Sequence, residues 1–335
     1  MKSIAPYDPV QHLKEILEQQ ALNVSFKELS AKAGGFDARI QLNDQVIYLE
    51  TKREITPVNL SKVLEEIKTR YKENNILLAG EYITPKAKEL LREKEVNYLD
   101  RAGNMYLKLN SLLIHIDGKS APTVPGKYKS RAFSKAGGAV VFQFLRDPQL
   151  VNEPQRLIAE YAGVSLGTIP KVFEGLQKEK FLIRLDKNKW ELSNKEGLLL
   201  KWTEVLGEKI LPSKFLGNYK PVGRNMQEML AEKEIRATGL KWGGEPAAAL
   251  LTNYLIAEKF SLFVPTKENI LKKHKLVPSP TGELEVYEKF WNHPEDDDLP
   301  YVHPILIYAQ LMATGESRNI ETAEIILNEH IRPNL

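Results

Sequence analysis

The chain has 335 residues and a mass of 38.1 kDa, with 42% hydrophobic and 27% charged residues and a net charge of +3. That length allows two or three domains, and the composition is that of a folded chain rather than a disordered one. The absence of cysteine excludes disulfides, zinc ribbons and thiol catalysis. No apolar run approaches the roughly 20 residues needed to span a bilayer, and Met1–Leu13 lacks the basic-then-apolar layout of a secretory signal. A cytoplasmic protein is therefore expected. The charge is uneven: residues 127–202 carry a net +6, and residues 276–300 a net −6. A basic segment in a nearly neutral chain favours a polyanionic partner.

Chain order gives a helix over residues 9–20, where Val10, Leu13, Ile16 and Leu17 fall at helical spacing. Residues 36–42 and 46–52 alternate with period two, as strands do. Residues 58–73 return to helical spacing through Val63, Leu64 and Ile67, and Asn75–Ala79 is a short apolar run. Pro85–Glu93 is a further helix, and residues 97–116 read as two strands turning at Gly103-Asn104. These elements predict a small α/β domain over residues 1–118.

A two-residue turn at Asn43-Asp44 would place Asp37 directly opposite Glu50. Phe36, Ala38, Ile40, Leu42, Ile47 and Leu49 would then share an apolar face, and Asp37, Arg39, Tyr48, Glu50 and Lys52 the other. Facing carboxylates repel unless a cation lies between them. An Asp followed by Glu-x-Lys on such a hairpin resembles the PD-(D/E)xK nucleases, whose carboxylates hold Mg²⁺ while the lysine positions the attacking water. The resemblance implies a restriction-endonuclease-like domain, with Asp37, Glu50 and Lys52 as catalytic candidates and Asp37 and Glu50 as metal ligands. Glu15 or Glu18 could supply another carboxylate. The same short pattern also fits a surface charge network that uses Arg39 and Lys52.

Gly118–Gly126 is rich in glycine, proline and small polar residues, and predicts a linker within residues 119–134. An apolar helix follows, with Val140, Val141, Phe144 and Leu145. Asn152 can cap a second helix whose buried stripe is Leu157, Ile158 and Tyr161, and Gly163 stands where the chain must leave it. Val164 plugs the turn, and Ser165 or Thr168 can cap a third helix that buries Ile169, Val172, Phe173 and Leu176. Two short strands, Phe181–Leu185 and Trp190–Leu192, flank Asp186–Lys189 as a wing. Residues 135–202 thus predict a winged helix-turn-helix. Such a motif lays its last helix in the major groove, so Ser165, Thr168 and Lys171 would face base edges, with Arg184, Lys187, Asn188 and Lys189 near phosphates. Pro170 admits two readings: the helix begins at Thr168 with the proline in its first turn, or its start is distorted.

A softer break falls near Leu211-Pro212 and opens a mixed α/β region over residues 203–335. Gly243-Gly244, before a helix at Ala247–Leu255, could present N–H groups to an anion but lacks phosphate-loop spacing, so a structural turn is expected. Ser261–Val264 reads as a strand. His293 and His303 flank Asp296–Asp298 without the spacing of metal ligands and read as solvated loop residues. Two closing helices are expected over 303–313 and 320–331.

Tyr48–Lys52, Tyr98–Asn104, Ala162–Thr168, Trp242–Thr252 and His303–Ala323, in that order, resemble the AbiEi-type antitoxins of type IV toxin–antitoxin systems. The resemblance implies a DNA-binding transcriptional regulator that represses its own operon and neutralises a cognate nucleotidyltransferase-like toxin, with no cofactor required. Its expected partners are double-stranded DNA, a toxin and a second copy of the chain; no membrane is implied. The competing expectation is a Mg²⁺-dependent nuclease that uses the winged helix to reach DNA.

Overall fold

A computed structural model describes residues 7–20, 25–29, 36–70, 75–110, 112–119, 130–187, 189–231, 239–265, 274–294 and 299–335. The chain divides into two compact units, Met1–Lys127 and Tyr128–Leu335, of mixed α/β structure.

In the first unit, Asp8 Oδ1 accepts the N–H groups of Val10 and Gln11 and so starts helix α1 (Pro9–Gln19). Seven strands form one sheet in chain order: β1 (Phe26–Leu29), β2 (Ala38–Leu42), β3 (Gln45–Ile55), β4 (Asn75–Ile83), β5 (Asn97–Asp100), β6 (Met105–Leu109) and β7 (Leu112–Ile116). β3, β4 and β5 run parallel and the other neighbours antiparallel. Parallel neighbours need crossovers, here helices α2 (Pro57–Arg70) and α3 (Pro85–Glu93). Leu13, Ile16 and Leu17 of α1 pack with Ala38, Ile40, Leu49, Leu77 and Leu99. A second apolar cluster joins Leu60, Val63 and Ile67 of α2 and Leu90 and Leu91 of α3 to Leu78, Ile83 and Tyr98. The sheet is thus covered on both faces.

Two expectations for this unit need correction. Residues 97–116 form three strands, not two, because the chain turns again after β6. Phe36 joins the α2–α3 cluster, against the Tyr48 ring at 4.2 Å, rather than the face of Ala38 and Ile40. It precedes the first paired residue of β2, so strand alternation does not govern it.

The expected linker lies largely outside the described residues, but Arg131–Phe133 form a 3-10 turn that buries Ala132 and Phe133. The second unit continues with α4 (Lys135–Arg146), α5 (Gln155–Tyr161), α6 (Ile169–Lys178), the hairpin β8 (Leu182–Arg184) and β9 (Trp190–Leu192), and α7 (Lys195–Val205). The helical path runs on through a wider turn, Leu206–Ile210, into α8 (Leu211–Lys214), so Pro212 sits in a first turn rather than at a break. A five-stranded sheet follows, with β10 (Phe215–Pro221), β11 (Lys241–Gly243), β12 (Phe260–Val264), β13 (Leu276–Pro278) and β14 (Leu284–Glu288) in the order β11-β12-β14-β10-β13. Helices α9 (Met226–Ala231), α10 (Gly244–Thr252), α11 (Pro304–Thr314) and α12 (Ser317–Ile326) complete it. No helix among the described residues is long and apolar enough to cross a membrane.

Candidate nucleic-acid interface

α5 and α6 are joined by a turn whose Gly163 has φ +62°, a backbone conformation that a Cβ would strain. The Val164 N–H bonds Ala159 O at 3.0 Å and closes the end of α5. A 3-10 turn, Leu166–Thr168, leads directly into α6, and Pro170 stands in the first turn of that helix. The proline therefore interrupts no helical hydrogen bond, which settles the earlier alternative in favour of the undistorted start. Ile169, Val172, Phe173 and Leu176 are buried, whereas Ser165, Leu166, Gly167, Pro170, Lys171 and Glu174 are exposed.

The expected caps differ from the observed ones. The Ser165 and Thr168 hydroxyls bond each other at 3.0 Å, and neither accepts a backbone N–H of the helix. Thr168 already has helical dihedrals, and its side chain cannot reach forward as a cap does. Asn152 does not cap α5 either. Its Nδ2 donates to Trp190 O at 3.1 Å, and its Oδ1 accepts from Trp190 N at 2.8 Å. That amide clamps β9 to the turn before α5 and fixes the hairpin relative to the helix pair.

In the hairpin, Arg184 is folded back. Its guanidinium donates to Asp186 O at 3.0 Å and Lys187 O at 2.7 Å, and lies 5.3 Å from the centre of the Trp190 ring. The arginine thus shapes the loop that carries Lys187 and Lys189, both exposed. Lys171, Lys187 and Lys189 make no ion pair among the described residues, and Asn188 lies outside them. Arg156, exposed on α5, is a further cation on this segment that the motif had not singled out. The candidates at 165–171 and 184–189 thus fall on the α6 start and on the hairpin.

In the first unit the β2–β3 register is the expected one, with Ala38 opposite Leu49 and Ile40 opposite Ile47. The Asp37 N–H bonds Leu49 O at 3.2 Å, and Asp37 Oδ2 accepts from Thr51 N at 2.6 Å. Lys52 Nζ lies 3.1 Å from Glu50 Oε1 and 3.1 Å from Glu66 Oε2. Burial lowers the Lys52 pKa, but the hydrogen bonds it donates to Glu66 and Glu50 outweigh it and hold the ammonium above its usual value. Glu66, on α2, is the carboxylate that the sequence pattern missed. Glu15 and Glu18 lie on α1, which covers the opposite face of the sheet, so neither can complete this group. Among the described residues no group of three or more His, Asp or Glu side chains is placed to hold a metal ion.

Residues 191–332 match the family described as "Transcriptional regulator, AbiEi antitoxin, Type IV TA system". Within those 142 of the 335 residues, the chain is similar to that family. No curated protein and no solved structure matches the chain. The match begins inside the hairpin, at β9, and leaves α5, α6 and the whole first unit outside it.

The AbiEi-type segment is knitted into the helix pair. The Asn292 N–H bonds Tyr161 O at 2.8 Å and so satisfies it, and its side-chain amide donates at 3.3 Å to Glu160 O, which also accepts from Gly163 N at 3.1 Å. Phe142 of α4 stacks on Trp202 at 5.1 Å and meets Phe290 and Trp291 at 5.6 and 5.7 Å. Trp202 Nε1 donates to Gly138 O at 2.7 Å.

His293 and His303 are not solvated loop residues, contrary to expectation. His293 is buried against the Tyr161 ring at 4.6 Å. His303 Nδ1 accepts from Ile305 N at 3.3 Å and caps α11, and burial, then Arg146 and His293, push its pKa down to about 3. Asp296–Asp298 lie outside the described residues. Gly243-Gly244 is a structural turn: the Gly244 N–H is already bonded to Gln310 Oε1 at 2.9 Å. Glu245 is also structural. Its carboxylate accepts from Glu258 N at 2.7 Å, Lys259 N at 3.0 Å, Asn319 Nδ2 at 3.0 Å and Arg318 at 2.7 Å. Burial raises its pKa, but these donors prevail and hold it below the usual carboxylate range.

Proposed function

We propose that this chain is a cytoplasmic DNA-binding transcriptional regulator of the antitoxin kind, whose α5–α6 pair and β8–β9 hairpin act as a winged helix-turn-helix. The exposed face at the start of α6 carries the reading: its apolar stripe is inward, while Ser165, Leu166, Gly167, Pro170 and Lys171 face outward beside a clamped hairpin bearing Lys187 and Lys189. In such a motif the start of the second helix meets base edges in the major groove, and cations on the wing meet phosphates. The net +6 of residues 127–202 supports the same partner. The AbiEi-type description of residues 191–332 supports regulation as the use of that binding. On this reading the chain represses its own operon as a homodimer, neutralises a cognate toxin through the AbiEi-type segment, and needs no cofactor. Ser165, Thr168 and Lys171 read bases, and Lys187, Asn188 and Lys189 contact phosphates, with Arg184 ordering the loop between them.

The test is an electrophoretic shift in EDTA at two salt concentrations, with the chain's own upstream DNA against a scrambled duplex of equal length. Selective binding is expected. The paired change Lys187→Ala and Lys189→Ala should weaken it on both duplexes and lower the slope of log K against log salt by about 2, roughly one per phosphate contact. Equal affinity for the two duplexes would overturn the regulator reading. Strand cleavage on adding Mg²⁺, lost in Glu50→Ala, would replace it with the nuclease reading.

A further inference from the structure

The leading turn of α6 carries an exposed apolar side chain among its polar ones. The Ser165 and Thr168 hydroxyls share one hydrogen bond, which leaves a hydroxyl hydrogen and oxygen lone pairs for base edges, and the Glu174 carboxylate lies 2.5 Å from Lys178. Pro170 has no N–H to offer. Leu166 is 53% exposed at the leading turn, and beside it a side chain at Gly167 would meet nothing within 4 Å. An exposed leucine is unremarkable on most surfaces. Here it stands in the turn that leads into the helix that the DNA-binding reading sends into the major groove, with the glycine allowing close approach.

A leucine cannot take part in the donor–acceptor code by which arginine reads guanine or asparagine reads adenine. The one apolar group that an unmodified base pair shows in the major groove is the C5-methyl of thymine. We propose that Leu166 is a specificity-determining residue that packs on the C5-methyl of a thymine in the bound duplex. The proposal rests on the DNA-binding reading above and adds to it the kind of base that the leading turn selects. Lys171, exposed in the first turn of α6, and the basic excess of the surrounding segment favour DNA over a protein as the group Leu166 meets.

The experiment starts from duplexes selected out of a random pool by the full chain in EDTA. Each thymine in the selected site is then replaced singly by deoxyuridine, which removes one methyl and leaves every hydrogen-bonding group in place. At one position per half-site the replacement should weaken binding roughly four-fold, the worth of one carbon removed from an apolar contact. The Leu166→Ala variant should bind thymine and deoxyuridine duplexes alike at that position, with its salt dependence unchanged. Leu166→Met should keep the discrimination. Replacement of that thymine by cytosine should weaken binding, and 5-methylcytosine should recover part of the loss. Tolerance of deoxyuridine at every position, or a penalty that persists in Leu166→Ala, would overturn the role of Leu166 and leave DNA binding standing. Failure to select any duplex would overturn both.

Discussion

Charges are used in opposite ways in the first sheet and on the β8–β9 hairpin. In the sheet, Lys88 Nζ lies 2.7 Å from Asp100 Oδ2 with both side chains nearly buried, and Asn104 donates to the same carboxylate through its backbone N–H and its amide at 2.9 and 2.8 Å. Lys52 is held between Glu50 and Glu66. On the hairpin, Lys187 and Lys189 are exposed and make no ion pair among the described residues, and Arg184 is spent on its own loop. Closed charges fix a fold; open charges wait for something outside it. The two regions hold similar residues and differ in what the backbone brings within reach of them.

The contrast is sharpest where a closed pair is broken. Lys88→Met leaves Asp100 buried without its cation and should cost about 3–5 kcal/mol in urea unfolding. A loss under 1 kcal/mol would mean that the Asp100 site admits water and is not closed. A second effect is set by pH. The His303 pKa is depressed in the fold, so the unfolded chain binds a proton first. The stability tied to His303 is complete above the unfolded pKa of about 6.5 and lost as pH falls from there towards about 3, at up to about 1.4 kcal/mol per pH unit. His303→Asn keeps a capping side chain and should flatten that part of the stability–pH curve. Glu245 should add an acid loss lower down, as pH falls below about 4.5, the unfolded carboxylate value, through its depressed folded pKa. Asn152→Ala should cost about 1–2 kcal/mol, two neutral hydrogen bonds. It should also loosen the hairpin, seen as faster amide exchange at Trp190. At the small end, Lys187→Ala with Lys189→Ala should leave the unfolding midpoint unmoved within about 0.5 kcal/mol. A larger loss there would erase the distinction between the two regions.

The features legible in the sequence are those that short-range rules govern. Asn43-Asp44 dictates the β2–β3 register, and with it the placing of Asp37 near Glu50. Ile169, Val172, Phe173 and Leu176 mark the inward face of α6 by spacing alone. The remainder depends on partners far along the chain. Asn152 carries the same amide whether it caps a helix or clamps Trp190, and only the fold chooses between them. Glu66 reaches Lys52 because α2 crosses the face on which Lys52 lies, a tertiary fact that Glu-x-Lys does not contain. His293 and His303 sit beside an acidic run in sequence, yet they are drawn into an aromatic layer with Tyr161 and Phe142.

The Asn292 bonds to the end of α5 carry a consequence for heredity. A helix pair closed by its own turn alone can be cut out and spliced elsewhere, as a cassette. This one adds to its glycine an amide supplied from about 130 residues downstream, and α4, on which the pair packs, is roofed by Phe290 and Trp291. A crossover that swapped α4, α5 and α6 alone would bare the Tyr161 carbonyl and the faces of Phe290 and Trp291. Lineages that exchange such reading heads should therefore exchange the downstream segment with them, so that the two co-vary as one inherited block.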